Sequence, residues 1–126
     1  MIDYHLHTLF CNHATGGMER YIQSAIDLGL REICFLDHLT IQETDPGLTM
    51  TPEEVPYYFH AVQVLKQKYR KEISIKAGLE MDFNPAYIDF CQDIIQEIEG
   101  FDLWIDRFPV VSPRPRNDQG YALFVK

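Results

Sequence analysis

The residues best suited to chemistry are two histidines separated by one leucine, His5 and His7, near the start of the chain. Alternate residues of a β-strand point to the same side, so a strand over residues 2–7 would aim both imidazoles into one space. Paired imidazoles at the end of a strand are good ligands for a divalent transition-metal ion. The alternative for this pair alone is two solvated polar residues leaving a strand.

Ligand-type residues also follow two later apolar runs. Asp37 and His38 come directly after the run at 33–36, and Glu80 follows the run at 73–79. Histidine and carboxylate side chains at successive strand ends are typical of a metal site. Asp37 is either a ligand itself or a partner that orients a neighbouring imidazole.

The other candidates are weaker. His13 lies in the loop after the first run, close enough along the chain to reach the same place, and a surface-loop histidine is its alternative. His60 falls inside a helical pattern, and we expect it to be a surface or packing residue. Asp82 lies two residues after Glu80, and we interpret it as a solvated loop carboxylate.

Strands that alternate with helices would bring these residues to one edge of a parallel sheet. Apolar patterning predicts three helices, and we place their starts near Met18, Thr51 and Pro85. The helices separate four predicted strands, at 2–7, 33–36, 73–79 and 101–105. This β-α-β-α-β-α-β order favours parallel strands with right-handed crossovers. Chemistry gathers at the carboxyl ends of such strands, so a shared metal site becomes the favoured interpretation.

Composition narrows the class of protein. The 126 residues suffice for one modest domain, and the hydrophobic content of 46% excludes a disordered chain. The net charge of −8 argues against a nucleic-acid partner. We expect a cytoplasmic protein without a membrane partner, since no apolar run is long enough to span a bilayer and no signal-peptide pattern begins the chain. The cysteines form no CxxC motif, and we expect them to be reduced, mostly buried thiols: Cys11, Cys34 and Cys91.

Three segments carry a resemblance to a known family: HLHTLFCNHA at 5–14, FLDH at 35–38 and GLEMDF at 78–83. In type, order and spacing they resemble the PHP (polymerase and histidinol phosphatase) family, and its histidinol-phosphatase branch in particular. The resemblance implies a distorted (β/α)₇ barrel, an α/β fold of the TIM-barrel type, with a polynuclear metal cluster at the carboxyl rim. Of that barrel we expect this chain to form a part with about four strands and three helices.

The resemblance also implies roles for residues. By motif position, His5 and His7 would hold one metal ion, Glu80 would bridge it to a second, and His13 and His38 would belong to a third. The ions would be Zn, Mn or Fe, up to three in the family and fewer here. The implied reaction is hydrolysis of L-histidinol phosphate in histidine biosynthesis, so the partner would be a small phosphorylated substrate. A metal-activated water would be the attacking group, with no catalytic side chain assigned.

The chain departs from the family pattern after residue 105. The family continues its fourth strand with Gly-Ser-Val-His, whose histidine is a ligand, whereas this chain has no histidine after His60. We therefore divide the chain into a partial barrel domain at 1–105 and a divergent tail at 106–126, rich in proline and arginine and without strand or helix. We interpret the tail as the result of a reading-frame shift or truncation.

This departure leaves three functions open. The leading one is a histidinol-phosphatase-like enzyme whose activity is impaired by the missing ligands. A second is a catalytically inactive metal-binding fragment or interaction module, and a third is a PHP phosphoesterase acting on a nucleotide or another phosphate ester. We also expect the fourth strand to be an open edge that a second copy of the chain could cover, giving a homo-oligomer.

Overall fold

A computed structural model describes residues 1–12, 14–39, 49–82, 88–107 and 121–125. Within these ranges the elements are β1 (Ile2–Leu6), a 3-10 turn (Leu9–Cys11), α1 (Met18–Asp27), β2 (Glu32–Leu39), α2 (Val55–Lys68), β3 (Ser74–Asp82), α3 (Ile88–Glu97), β4 (Leu103–Arg107) and β5 (Tyr121–Val125). None of the helices in this part of the chain combines the length and the apolar character that crossing a membrane requires.

The strands form one sheet in sequence order, β1-β2-β3-β4-β5. β1 to β4 are parallel, and β5 is antiparallel to β4. The predicted α/β class, with four parallel strands separated by three helices, is confirmed. Because the four strands run the same way, their carboxyl ends share one edge of the sheet, where His38 pairs in register with Glu80.

The fourth strand differs from our expectation. It continues to Arg107, and its far edge is paired with β5 from Leu103↔Val125 to Arg107↔Tyr121. The expectations of an open fourth-strand edge and of a tail without a strand are therefore wrong. The prolines that led to them, at 109, 113 and 115, lie outside the described residues, whereas the five apolar or aromatic residues of β5 suit a strand. Oligomerisation stays a prediction.

The start of α2 also differs slightly. We placed it near Thr51, whereas the helix begins at Val55 with Pro56 in its first turn. Proline suits this place because a first-turn N–H has no partner within the helix. The peptide N–H of Thr51 donates to Glu54 Oε2 at 2.7 Å, so the carboxylate stabilises the segment that leads into the helix.

The helices pack on one face of the sheet and make the main core there. Ile33 and Phe35 of β2 belong to this core together with Ile22 of α1 and Val62 of α2, and all four are fully buried. The alternate residues Cys34 and Leu36 lie in a second, smaller cluster with Tyr4. β2 is thus buried on both faces, as its continuous apolar run predicted. Cys11 and Cys34 are buried thiols, as expected, and the side chain of Cys91 lies outside the description.

A polar group ties β1, β2 and β3 together at the end opposite the candidate ligands. The hydroxyl of Tyr4 donates to Glu32 Oε1, and Ser74 Oγ donates to Glu32 Oε2 at 2.7 Å. Replacing Tyr4 with phenylalanine is expected to lower the free energy of unfolding by about 1–2 kcal/mol, since a hydrogen bond to a carboxylate is lost. Urea denaturation of the two proteins at pH 7 measures this difference, and equal midpoints would contradict the assigned bond.

The same bond has a defined pH dependence. The hydrogen bond to Glu32, then burial, raises the pKa of the Tyr4 phenol from 10.0 to about 12. The folded state holds this proton more tightly than the unfolded state, so the stabilisation is complete below pH 10 and is lost as the pH rises towards 12. The stability difference between the wild type and Tyr4→Phe should therefore shrink over that interval. A difference that stays constant up to pH 12 would contradict the bond.

Candidate metal centre

Three histidine rings converge on one carboxylate oxygen, Glu80 Oε2. The ring nitrogens nearest to it are His5 Nε2 at 3.0 Å, His7 Nε2 at 3.6 Å and His38 Nδ1 at 3.6 Å. Two ligand atoms bound about 2 Å from one tetrahedral ion lie roughly 3.3 Å from each other. The separations of His5 and His7 from Glu80 are close to that value, and potential ligand atoms of His5, His7 and Glu80 all lie within 4.8 Å of one another. These three residues therefore fit a metal ion in both chemistry and size.

The carboxyl ends of three strands position these side chains. His38 and Glu80 occupy paired positions on β2 and β3, which brings their side chains to the same face. β1 has an irregular register between Asp3 and Leu6, and Asp3 Oδ1 accepts the peptide N–H of His5 at 3.1 Å. This hydrogen bond fixes the backbone at His5 within the irregular part of β1, and His7 follows directly after the strand.

The histidine rings also pack against one another. The ring of His7 stacks on that of His38 with centroids 4.6 Å apart and an angle of 14° between the planes. Its centroid lies 4.9 Å from that of His5, with the planes tilted by 57°. Three imidazoles this close to one another form a compact ligand set, and the neutral imidazole is the form that binds metal.

Glu80 is a buried carboxylate, only 2% exposed. Burial alone would raise its pKa, but the hydrogen bond with His5 and the charges of His38, His5 and His7 outweigh burial, and the net pKa is lowered. Glu80 is therefore ionised at neutral pH. A buried anion surrounded by nitrogen donors strongly attracts a divalent cation.

The structure brings together most of the residues selected from the sequence. His5, His7, His38 and Glu80 form one cluster, and His60 is exposed on α2, as expected. His13 and the side chain of Asp82 lie outside the described residues, so the role implied for His13 stays a prediction.

A second polar group lies beside this cluster, and two of its members were missed by the sequence reasoning. Potential ligand atoms of His7, Cys11 and Asp37 all lie within 4.8 Å of one another, and Thr8 contacts Asp37. Thr8, Cys11 and Asp37 are each 0% exposed. One feature of the sequence could have indicated this group. Thr8 is a capping residue type, and it lies directly between the candidate ligand His7 and the 3-10 turn at Leu9–Cys11.

Comparison with known proteins identifies the family. The sequence model of the PHP domain matches residues 3–120. The chain belongs to the PHP family. The match crosses residue 105, and the division into a barrel part and a divergent tail stays a prediction.

Curated PHP relatives carry a consistent name. A probable histidinol-phosphatase from Deinococcus radiodurans is 35% identical over 96 residues, which cover 75% of this chain and 37% of that protein. The histidinol-phosphatase of Bacillus subtilis is 32% identical over 94 residues, which cover 69% of this chain and 35% of the relative. The chain thus spans just over a third of the length of these relatives.

Solved PHP structures have the same fold. Histidinol phosphate phosphatase from Lactococcus lactis, crystallised with zinc, L-histidinol and phosphate, is similar over 83% of this chain and 38% of its own, with a TM-score of 0.71 and 30% identity. A putative histidinol phosphatase from Listeria monocytogenes gives a TM-score of 0.69 and 28% identity over 77% of this chain and 40% of its own. The predicted family and partial barrel are confirmed.

Proposed function

We propose that this chain provides the metal-binding rim of a divalent-metal-dependent phosphomonoesterase that converts L-histidinol phosphate and water to L-histidinol and phosphate. The observation that carries the proposal is the convergence of three imidazoles on the buried carboxylate of Glu80. Membership of the PHP family and the names of the relatives support the substrate. The cellular setting that we propose is histidine biosynthesis in the cytoplasm.

The chain's own residues would hold the metal. His5 and His7 would supply imidazole nitrogens to one ion, and Glu80 would supply a carboxylate shared with a second, with His38 and His13 contributing to a third. A divalent ion in such a site lowers the pKa of bound water and stabilises negative charge on a phosphoryl group. Zinc is the first choice because the Lactococcus lactis relative was crystallised with it, and manganese and iron are the alternatives.

The net negative charge of the chain gives a bound metal ion a second role, in substrate binding. The chain carries a net charge of −8, which opposes the approach of a phosphate monoester. Glu80 adds a negative charge within the site itself. Cations bound by the histidine cluster would reverse the local charge where the substrate must bind, so we expect substrate binding to require metal loading.

The departure from the family pattern after residue 105 bears on activity. Where the resemblance implies a histidine ligand after the fourth strand, this sequence has none at that place. We therefore propose reduced turnover for a site that depends on these residues alone. This same observation favours a second candidate, a PHP module that binds metal without catalysing hydrolysis.

A phosphate-release assay separates these functions. The purified chain, loaded with zinc or manganese, is given L-histidinol phosphate, a nucleotide monophosphate and p-nitrophenyl phosphate, and Glu80→Gln prepared in parallel reports contaminating phosphatase. Release from L-histidinol phosphate by the wild type alone supports the proposal. Release from the nucleotide alone assigns another substrate class, and metal binding without release from any ester establishes the inactive module.

A further inference from the structure

Asp37 is the buried carboxylate of the second polar group, and the proposed reaction does not use it. It is 0% exposed at the carboxyl end of β2, next in sequence to His38. A carboxylate without access to water is costly unless several hydrogen bonds compensate for the lost hydration. The contacts of Asp37 therefore show what holds it there.

Thr8 provides two of these contacts. Its peptide N–H donates to Asp37 Oδ1 at 2.5 Å, and its hydroxyl donates to Asp37 Oδ2. Thr8 Oγ1 also accepts the peptide N–H of Phe10 at 3.2 Å, so the hydroxyl uses its acceptor on the backbone and its single proton on Asp37.

His7 lies between the two buried carboxylates. Its Nε2 is 3.6 Å from Glu80 Oε2, and its Nδ1 is 3.9 Å from Asp37 Oδ1. The two ring nitrogens thus face different anions, one at the candidate metal centre and one behind it. A carboxylate behind a metal-binding imidazole attracts the N–H of that ring and so sets which nitrogen carries the proton.

We propose that Asp37 is a positioning residue that holds His7 as the Nδ1–H tautomer and directs Nε2 to the metal, with Thr8 fixing the carboxylate in place. The proposal deepens and rests on the proposed metal-dependent function. It also explains why Thr8 follows His7 directly. Asp37 accepts hydrogen bonds from the peptide N–H and the hydroxyl of Thr8, and its Oδ1 faces the ring of His7. These contacts connect the segment that follows β1 to β2.

A separate metal site made of His7, Cys11 and Asp37 is the competing explanation. The thiol of Cys11 donates to the carbonyl of Thr8 at 3.1 Å. Binding one ion at each nitrogen of His7 would require the imidazole to lose its second proton. Positioning therefore fits the contacts better than ligation.

Thr8 offers a matched pair of variants for the test. Thr8→Val keeps the shape of the side chain but removes the hydroxyl, whereas Thr8→Ser keeps the hydroxyl; Asp37→Asn removes the charge. We expect Thr8→Val and Asp37→Asn to weaken zinc binding about 10- to 100-fold, measured by competition with a chromophoric chelator, and Thr8→Ser to restore it. His60→Ala should bind zinc as the wild type does.

The ring nitrogen that binds the metal supplies a second readout. Long-range ¹H–¹⁵N spectra of the zinc-loaded full chain, with the His7 signals assigned by their loss in His7→Asn, should show zinc at Nε2 and the proton at Nδ1 in the wild type. Zinc bound at Nδ1 of His7 would overturn the proposal, as would unchanged zinc affinity in folded Thr8→Val and Asp37→Asn. If the wild type bound no zinc, the proposed function itself would fail, whereas zinc bound with equal affinity by all the variants would overturn only the role of Asp37.

Ligation by Cys11 has its own signature. Cobalt bound by a thiolate gives an intense charge-transfer band in the near ultraviolet. We expect no such band in the cobalt-loaded wild type, because Cys11 stays a thiol that donates to Thr8. A band that disappears in Cys11→Ser would establish the competing metal site and overturn the positioning role.

Discussion

Replacing Glu80 with glutamine is expected to lower the affinity of the chain for zinc by more than about 100-fold. Substitution of a residue that only orients a ligand already lowers metal affinity about 10- to 100-fold, and loss of a ligand should have a larger effect. Glutamine keeps the size of the side chain but removes the negative charge on which three imidazoles converge. An amide oxygen is also a much weaker zinc ligand than a carboxylate. The charge removed is buried, so water screens it little and the loss is correspondingly large.

The affinity of Glu80→Gln is measured by chelator competition beside that of His60→Ala. His60 is an exposed histidine on α2, and its loss controls for binding of zinc by surface imidazoles. Thermal melts of both variants show whether the fold is retained. If folded Glu80→Gln bound zinc as tightly as His60→Ala, Glu80 would not be a ligand.

Replacing Phe35 with alanine is expected to lower the free energy of unfolding by about 3–5 kcal/mol. Phe35 is 0% exposed in the middle of β2, opposite Ala77 of β3 and packed in the main core. Its removal forfeits the burial of an aromatic ring and leaves a cavity beside a small neighbour that cannot fill it. Typical domains are stable by only about 5–15 kcal/mol, so this variant approaches unfolding at moderate temperature.

Urea denaturation of Phe35→Ala alongside Tyr57→Ala tests this effect. Tyr57 is 71% exposed on α2, so its ring contributes little to the core and its loss should change the midpoint only slightly. Asp37 and His38 lie on the same strand as Phe35, and we therefore expect Phe35→Ala to lower zinc affinity as well. Equal midpoints for the two variants would show that the main core is not where the structure places it.

Excess zinc should partly reverse the loss of stability. A ligand that binds only the folded state at 100 times its dissociation constant adds about 2.7 kcal/mol to the free energy of unfolding. The melting temperature of Phe35→Ala should therefore rise with zinc, whereas that of Glu80→Gln should not. A similar rise in both variants would place the bound zinc away from Glu80.

The strand-end residues could be predicted from the sequence because two simple regularities place them. Alternation along a strand puts His5 and His7 together, and parallel order brings His38 and Glu80 to the same edge. Neither rule needs a contact between distant residues to be known in advance. The family followed from the same residues, and comparison with known proteins confirmed it.

The rest depended on contacts that local patterns do not encode. The meeting of His7 with both Asp37 and Glu80 requires the register of three strands, and β1 is irregular between Asp3 and Leu6. The contact between Thr8 and Asp37 depends on the same register and could not be predicted either. β5 was missed because the prolines before it led us to expect no further regular structure, whereas pairing with β4 determines that 121–125 form a strand.

The most direct test of the account is the metal content of the chain after zinc loading and dialysis, measured by inductively coupled plasma mass spectrometry. The wild type is compared with His7→Ala and His60→Ala, which each remove one imidazole. The account predicts that the wild type and His60→Ala retain zinc in stoichiometric amount and that His7→Ala loses it. Equal zinc in all three proteins, or none in the wild type, would contradict the metal centre at His5, His7 and Glu80.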